Sequence, residues 1–442
     1  MREFRTAQKS IFENYSKHEK GQQLQKISDK LDKYPHYIGL VAQDVIPEGL
    51  KEVGCKGLSV ESIFRCMILK QLYNHSYAAL AFHLEDSDSY RTFARLDVNS
   101  FPSKSTLQST IRKISPDTLE NIFRDHVTKA LNEGLVDLSK QRIDSTAIAS
   151  NILTPSDSQL LDDCVRVLSR HMKKSVSLAG FKVRFYDLRK TSKKLAFKIF
   201  YSKKAEKKKY YKRLLDICRT LQEQIQRAMG GSMDYKTDEA NEWRGIMHHY
   251  SSLLERVMDQ TVKRVFENKK VPATEKIVSI FESHTDIISK KNRPTVFGHK
   301  INLGTDSEGV ITYFNIEEGN PSDSECYSSI LSGYKALFDC SPETLVSDGG
   351  YASKDNVKEG KKAGVKKVVF HKTKGIPLSE MGIKAKTLVK LRNFRAGVEG
   401  NISELKRVFG LYRVLWKGKE GFNACVWASV ITYNLVKFAK LG

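Results

Sequence analysis

Cysteine is scarce and unpatterned in this chain. The seven residues, Cys55, Cys66, Cys164, Cys218, Cys326, Cys340 and Cys425, are scattered, odd in number and never spaced C-x-x-C. That argues against a structural zinc site or a disulfide framework and fits reduced thiols in a cytoplasm. A signal-peptide core is missing too, because the opening MREFRTAQKS is charged. The longest apolar-leaning run, Ala424 to Val436, contains Asn434 and is too short to span a bilayer. Internal repeats are absent. Acids are in deficit: 51 Asp and Glu against 74 Lys and Arg leave a formal charge of +23. Such an excess favours a polyanionic partner, nucleic acid ahead of an acidic membrane surface, over a merely soluble or ribosome-like basic protein. The expectation is a cytoplasmic protein with no membrane segment, its 442 residues enough for about two to four domains.

What is there begins with helices. SVESIFRCMILKQLYN has Ser59 as an N-cap and Glu61 in its first turn, and Ser76 can cap YAALAFHLED. PSKSTLQSTIRKI follows, punctuated by Pro102, with Ser105 read as the cap. Gln108, Ser109, Arg112 and Lys113 point outward from this last helix, which suits a helix-turn-helix as well as a plain bundle. At RIDSTAI the texture changes: Ile143, Ser145 and Ala147 alternate with Arg142, Asp144 and Thr146, a strand carrying an acid at its middle. From about Asp157 to Ile288 the pattern is helical again. Strands return in TVFGHKINLGTD and GVITYFNIEEG, joined by a turn at Asp306 to Gly309. A helix (Ser322 to Phe338), the strand ETLVSDGG, a helix (Lys354 to Ala363), the strand VKKVVFHK and a last basic helix complete the series.

With the helical block set aside, the order is β, β, β, α, β, α, β, α. Three strands in a meander followed by βα crossovers make a mixed α/β sheet with helices on its faces. The expected domains are a helical region over 1–138 whose outward cations suit DNA binding, a mixed-sheet core from 139–155 plus 289–415, a basic helical insertion at 156–288 and a C-terminal helix at 416–442. The insertion holds a Lys-rich tract: Lys182 to Arg213 has 14 basic residues against Asp187 and Glu206. Lys203, Lys204, Lys207, Lys208 and Lys209 are its centre and read as phosphate contacts. Phe185, Tyr186, Phe197, Phe200, Tyr201, Tyr210 and Tyr211 lie among them, either stacking on bases or turned to a core.

Three acids have similar addresses: Asp144 on the first strand, Asp348 at the end of TLVSDGG, and Glu399 on the last helix. At about 100° per residue, Arg395, Lys406, Glu399 and Arg392 fall at about 0°, 20°, 40° and 60°, one acid among three cations. Leu391, Phe394, Val398, Ile402, Leu405 and Phe409 form the adjoining buried face, and Glu404 lies opposite. Converging carboxylates repel unless a cation neutralises them, and oxygen-only ligands select Mg²⁺ or Mn²⁺ over zinc. A pair of such ions about 4 Å apart serves in-line phosphoryl transfer, with Arg392, Arg395 and Lys406 facing DNA phosphates. Each acid also has a plain reading: strand-end chemistry for Asp144, a turn at Asp348, an ion pair with Arg395 for Glu399. Asp286 is a competing acid in a loop-like context, and the lone His299 reads as a packed or solvated strand residue.

These motifs resemble those of the DDE transposases of bacterial insertion sequences. Arg395-x3-Glu399-x6-Lys406 fits the family's final signature Y-x2-R-x3-E-x6-K, with Arg392 standing where the signature has Tyr. DGGY (348–351) is similar to its second-acid motif, DST (144–146) to its first, and the helical stretch from about residue 55 to its N-terminal region. The resemblance implies a ribonuclease-H-like core with catalytic, metal-holding Asp144, Asp348 and Glu399. It further implies an enzyme that binds double-stranded DNA at terminal inverted repeats, cleaves the ends, joins them to target DNA and works as a homodimer. The rivals are a structure-specific nuclease that cuts without joining, and a non-catalytic DNA-binding regulator.

Overall fold

The computed structural model describes residues 3–4, 15–46, 57–97, 99–289 and 294–441; Cys55 lies outside them. The chain divides into two compact units, Met1–Asn151 with Gly298–Gly442, and Ile152–Phe297.

The first unit opens with seven helices: α1 (Glu19–Asp32), α2 (His36–Val45), α3 (Val60–Leu72), α4 (Tyr77–Asp86), α5 (Asp88–Ala94), α6 (Lys104–Ile111) and α7 (Pro116–Asn132). Serine hydroxyls cap four of them. Ser59, Ser76, Ser103 and Ser115 are extended residues whose hydroxyls accept the amides of Ser62, Ala79, Thr106 and Thr118. The cap of α6 is thus Ser103, not Ser105; Ser103 follows Pro102 directly, and its hydroxyl is the one that reaches the third amide of the helix. α3 is buried all round, and its Arg65 pairs with Glu61 of the same helix at 3.0 Å and with Asp32 of α1 at 2.7 Å.

The sheet of this unit comprises β1 (Lys140–Ala149), β3 (Val296–Thr305), β4 (Ile311–Ile316), β5 (Thr344–Ser347) and β6 (Lys367–Phe370); β2 (Asp286–Ile288) is a short strand of the second unit. Asp286 therefore stands in a strand and not in a loop, where the β-branched pair Ile287-Ile288 favours extension. β3 runs antiparallel to both β1 and β4, whereas β5 is parallel to β1 and β6 parallel to β5. Among these five strands the order is β4-β3-β1-β5-β6, with only β3 reversed against the common sense of β1, β4, β5 and β6, as in a ribonuclease-H-like sheet. Asp306 Oδ1 accepts the Val310 amide at 2.9 Å and Gly309 takes a φ of +81°, closing the β3–β4 turn as its sequence suggests. α13 (Cys326–Phe338), α14 (Lys354–Lys362), α15 (Ala385–Arg407) and α16 (Lys419–Leu441) complete the unit.

The apolar run at the C-terminus is a buried helix. α16 packs against α1, α3, α7 and β4, and no helix among the described residues is long and apolar enough to cross a membrane. Asn434 shows why it differs from a lipid-facing run: its side chain donates to the Ile311 carbonyl at 2.8 Å and accepts the Ile311 amide at 3.0 Å, satisfying β4.

The second unit is helical: α8 (Asp157–Lys173), α9 (Ser175–Ala179), α10 (Arg189–Tyr201), α11 (Lys204–Gly231) and α12 (Asp238–Thr261), lying in the chain between β1 and β3. Its own core includes Leu161, Leu168, Leu214, Trp243 and Leu254, with Cys164 and Cys218 among them. Burial pushes the Cys218 thiol up to about 12, and all described cysteines are free.

Candidate active site

The first acid sits where strand alternation puts it. Along β1, Arg142, Asp144 and Thr146 share one face, and Asp144 Oδ1 accepts the Ser145 amide at 2.8 Å. β5 lies parallel to β1 with Ser347 opposite Ile143, so Asp348, the residue after the strand, emerges beside Asp144. The turn that follows has no room for side chains, since a Cβ on Gly350 would lie 2.5 Å from Asp323 Oδ2. Asp323 is itself fixed, accepting from Ser145 Oγ at 2.7 Å and from the buried Lys300 ammonium at 2.6 Å. Tyr351, the last residue of DGGY, is fully buried and donates to Asn302 Oδ1 on β3 at 2.8 Å.

α15 brings Glu399. Arg142 clamps this helix to the sheet, with Nε donating to Thr305 Oγ1 at 2.9 Å, Nη1 to the Phe394 carbonyl at 3.0 Å and Nη2 to Asn401 Oδ1 at 3.2 Å. The approach is so close that a Cβ on Gly397 would stand 2.0 Å from Arg142 Nη1. Leu391, Val398, Leu405 and Phe409 are buried and Phe394 and Ile402 half-buried, matching the apolar face read from the sequence. Glu404 turns toward α16, 3.0 Å from Lys437 Nζ.

The three acids meet at one guanidinium. Arg395 Nη2 lies 2.6 Å from Asp144 Oδ2 and 4.0 Å from Asp348 Oδ1, and Nη1 lies 2.6 Å from Glu399 Oε1. Burial by itself would lower the Arg395 pKa; the carboxylates, Asp144 foremost, more than offset it and hold the guanidinium above its ordinary value. Burial raises the Asp144 carboxyl above the usual carboxylate range, with Arg395 pulling the other way. One cation among three carboxylates leaves the cluster net negative, which favours further positive charge. The oxygen-only donor set suits a hard divalent ion. Around Arg395 the carboxylates are spread, however, and among the described residues no three His, Cys, Asp or Glu side chains are gathered to hold a metal. The set fits such an ion in chemistry.

The other residues picked out by sequence are placed apart from the acids. Arg392 is half-buried, its Nε donating to the His371 carbonyl at 2.9 Å. Lys406 lies two turns beyond Glu399 and lines a cavity with Arg112; Arg112 and Lys113 are exposed at the end of α6. In the second unit, Lys203, Lys204, Lys208 and Lys209 are exposed and Lys207 is half-buried. Its aromatics divide: Tyr186, Phe197, Phe200 and Tyr201 are exposed, while Phe185, Tyr210 and Tyr211 pack on the core. His299 is packed, edge-on to Phe422 with ring centroids 4.7 Å apart. Arg142 and Asp323 escaped the sequence reading. Arg142 had a signal, sharing Asp144's face two residues away; Asp323, in a loop, had none.

A family model described as Transposase DDE domain matches residues 254–435, a span that includes Asp348 and Glu399 and leaves out Asp144. A second, described as Transposase domain (DUF772), matches residues 12–113. No curated protein and no solved structure matches the chain significantly. With the sheet order and the two matches together, the chain belongs to the DDE-type transposases of insertion sequences.

Proposed function

We propose that this chain is an active transposase that binds the terminal inverted repeats of its own element, cleaves the ends and joins them to target DNA. The family performs phosphoryl transfer on DNA and generally uses divalent metal ions. The observation that carries the reading is the convergence of Asp144, Asp348 and Glu399 on Arg395, each within 4.0 Å of the same guanidinium.

In this account Asp144, Asp348 and Glu399 hold Mg²⁺ or Mn²⁺, two ions, which when bound supply Lewis-acid activation of the attacking and leaving oxygens. In cleavage a water oxygen forms the new bond to phosphorus and the element's 3′-oxygen leaves, taking a proton. In joining, that 3′-hydroxyl attacks a target phosphodiester and the target's 3′-oxygen leaves. Arg395, released from the acids, and Lys406 steady the phosphates, while Arg142 keeps α15 in place. The N-terminal 1–138, as a helix-turn-helix region with Arg112 and Lys113 outward, contacts the repeat; 139–155 plus 289–415 is the catalytic core; 156–288 contributes basic surface; and 416–442 is the closing helix. Bringing two ends together calls for a homodimer, and a DNA-processing enzyme of this kind works in the cytoplasm.

A duplex carrying the repeat that flanks the gene tests this directly. With Mg²⁺, the wild-type chain yields a free 3′-hydroxyl and then a joined product; cutting without any joined product would make it a nuclease. The insertion is tested by salt. Neutralising Lys203, Lys204, Lys207, Lys208 and Lys209 together flattens the salt dependence of duplex binding by about 0.9 in log–log slope per lost phosphate contact. An unchanged slope would reduce these lysines to a solvated face.

A further inference from the structure

A cavity of 740 Å³ opens in the first unit between the α3–α4 junction, α6 and the segment that follows α15. We propose that it is a nucleotide site that takes unpaired bases of the DNA strand leaving the three acids, an inference that rests on the proposed transposase reading. Six cations line it, Lys70, Lys104, Arg112, Lys406, Arg407 and Arg413, and its lining contains no Asp or Glu. A wall of one charge sign selects a polyanion.

The cavity also has a stacking surface. Tyr77 and Trp416 stand with near-parallel rings, centroids 6.3 Å apart, and Lys70 Nζ lies 5.1 Å and 5.6 Å from their ring centres. Tyr412 is 74 % exposed at the rim. Tyr77 Oη and Trp416 Nε1 are buried with no hydrogen-bond partner, unusual for polar atoms in a folded wall. Cations beside aromatic rings are the means by which proteins hold single strands. The volume is that of a small-ligand pocket, in the range of roughly 300–1,000 Å³, which admits unpaired nucleotides but not a duplex.

Its place in the fold ties it to the acids. Lys406 is seven residues beyond Glu399 on one helix, about 10 Å along the axis. The rim segment is bonded to the end of β1: the Ala149 amide donates to the Tyr412 carbonyl at 3.4 Å, and the Val414 amide to the Ala149 carbonyl at 2.9 Å. The rim is thus hydrogen-bonded to the end of the strand that carries Asp144.

The test uses the full-length protein and an oligo-dT 12-mer, followed by tryptophan fluorescence and by anisotropy of a labelled strand. The wild-type protein binds it with quenching that disappears in Trp416→Phe. A triple variant of exposed residues, Lys104→Ala, Tyr412→Ala and Arg413→Ala, weakens single-strand binding about 10-fold or more, while its affinity for blunt duplex changes less than about twofold. Unchanged single-strand affinity in the triple variant overturns the proposal, as does equal competition by poly-Glu, which would make the groove a general anion or acidic-protein site. Asp144→Asn separates this from the parent reading: it leaves 12-mer binding intact if the groove is real, and its normal cleavage would refute the transposase assignment alone.

Discussion

Asp144→Asn and Asp348→Asn each lose strand cleavage by about 10³-fold or more, roughly 4 kcal/mol in barrier, while binding of the element's end stays within about twofold. Both substitutions keep shape and remove a charge. Asp144 is the stricter case, because the Asn amide keeps one acceptor for Ser145's backbone amide yet cannot supply a second anionic oxygen. Cleavage rates in Mg²⁺, measured beside a gel-shift titration, separate chemistry from binding. A variant that binds poorly as well as cutting poorly would mean that the acid holds the fold and not the reaction.

Arg395→Met destabilises the protein in chelator by about 1–3 kcal/mol, since it leaves the half-buried Asp144 carboxylate facing no cation. The same variant regains much of that loss in millimolar Mg²⁺, because a divalent ion can then neutralise the acids that Arg395 neutralised before. Arg395→Lys lies between, as an ammonium cannot serve Asp144 and Glu399 in one planar fork. Denaturant unfolding of each variant, with EDTA and with Mg²⁺, checks this. A loss below about 1 kcal/mol in chelator would reduce the contact to an ordinary surface ion pair. Equal loss in both conditions would separate Arg395 from any metal site.

Much of the fold was legible because its elements are locally encoded. Alternation in RIDSTAI marks β1, the Ser caps mark the helices, and the short runs TLVS and KVVF sit between helical patterns as β5 and β6. From that order alone the three-strand meander with parallel crossovers follows, and β4, β3, β1, β5 and β6 are arranged that way, whereas the short strand β2 falls where the sequence reads as helical. Local patterns are weakest where two candidates sit close, as with Ser103 and Ser105 before α6, and where an acid precedes β-branched residues, as at Asp286.

The acids were legible by address and motif, whereas their surroundings were not. The helical wheel puts Arg395 one turn before Glu399 and so offers it either to that carboxylate or to DNA. It cannot reveal that Asp144, far away in sequence, comes within 2.6 Å and claims the other end of the guanidinium. Likewise Arg142 reads as a polar residue on a strand until α15 is laid across it, when its donors find Phe394 and Asn401. Contacts of this kind depend on tertiary approach, which periodicity does not carry.

The central claim is that Glu399 acts in chemistry while Glu404, five residues along the same helix, does not. Glu404 is bonded toward Lys437 on α16, and Glu399 faces Asp144 through Arg395. The most direct measurement is the single-turnover cleavage rate of an end duplex in Mg²⁺ by Glu399→Gln and by Glu404→Gln, both first shown to bind the duplex. The account predicts no detectable cleavage from Glu399→Gln and a rate within about threefold of wild type from Glu404→Gln. Normal cleavage by Glu399→Gln would contradict it.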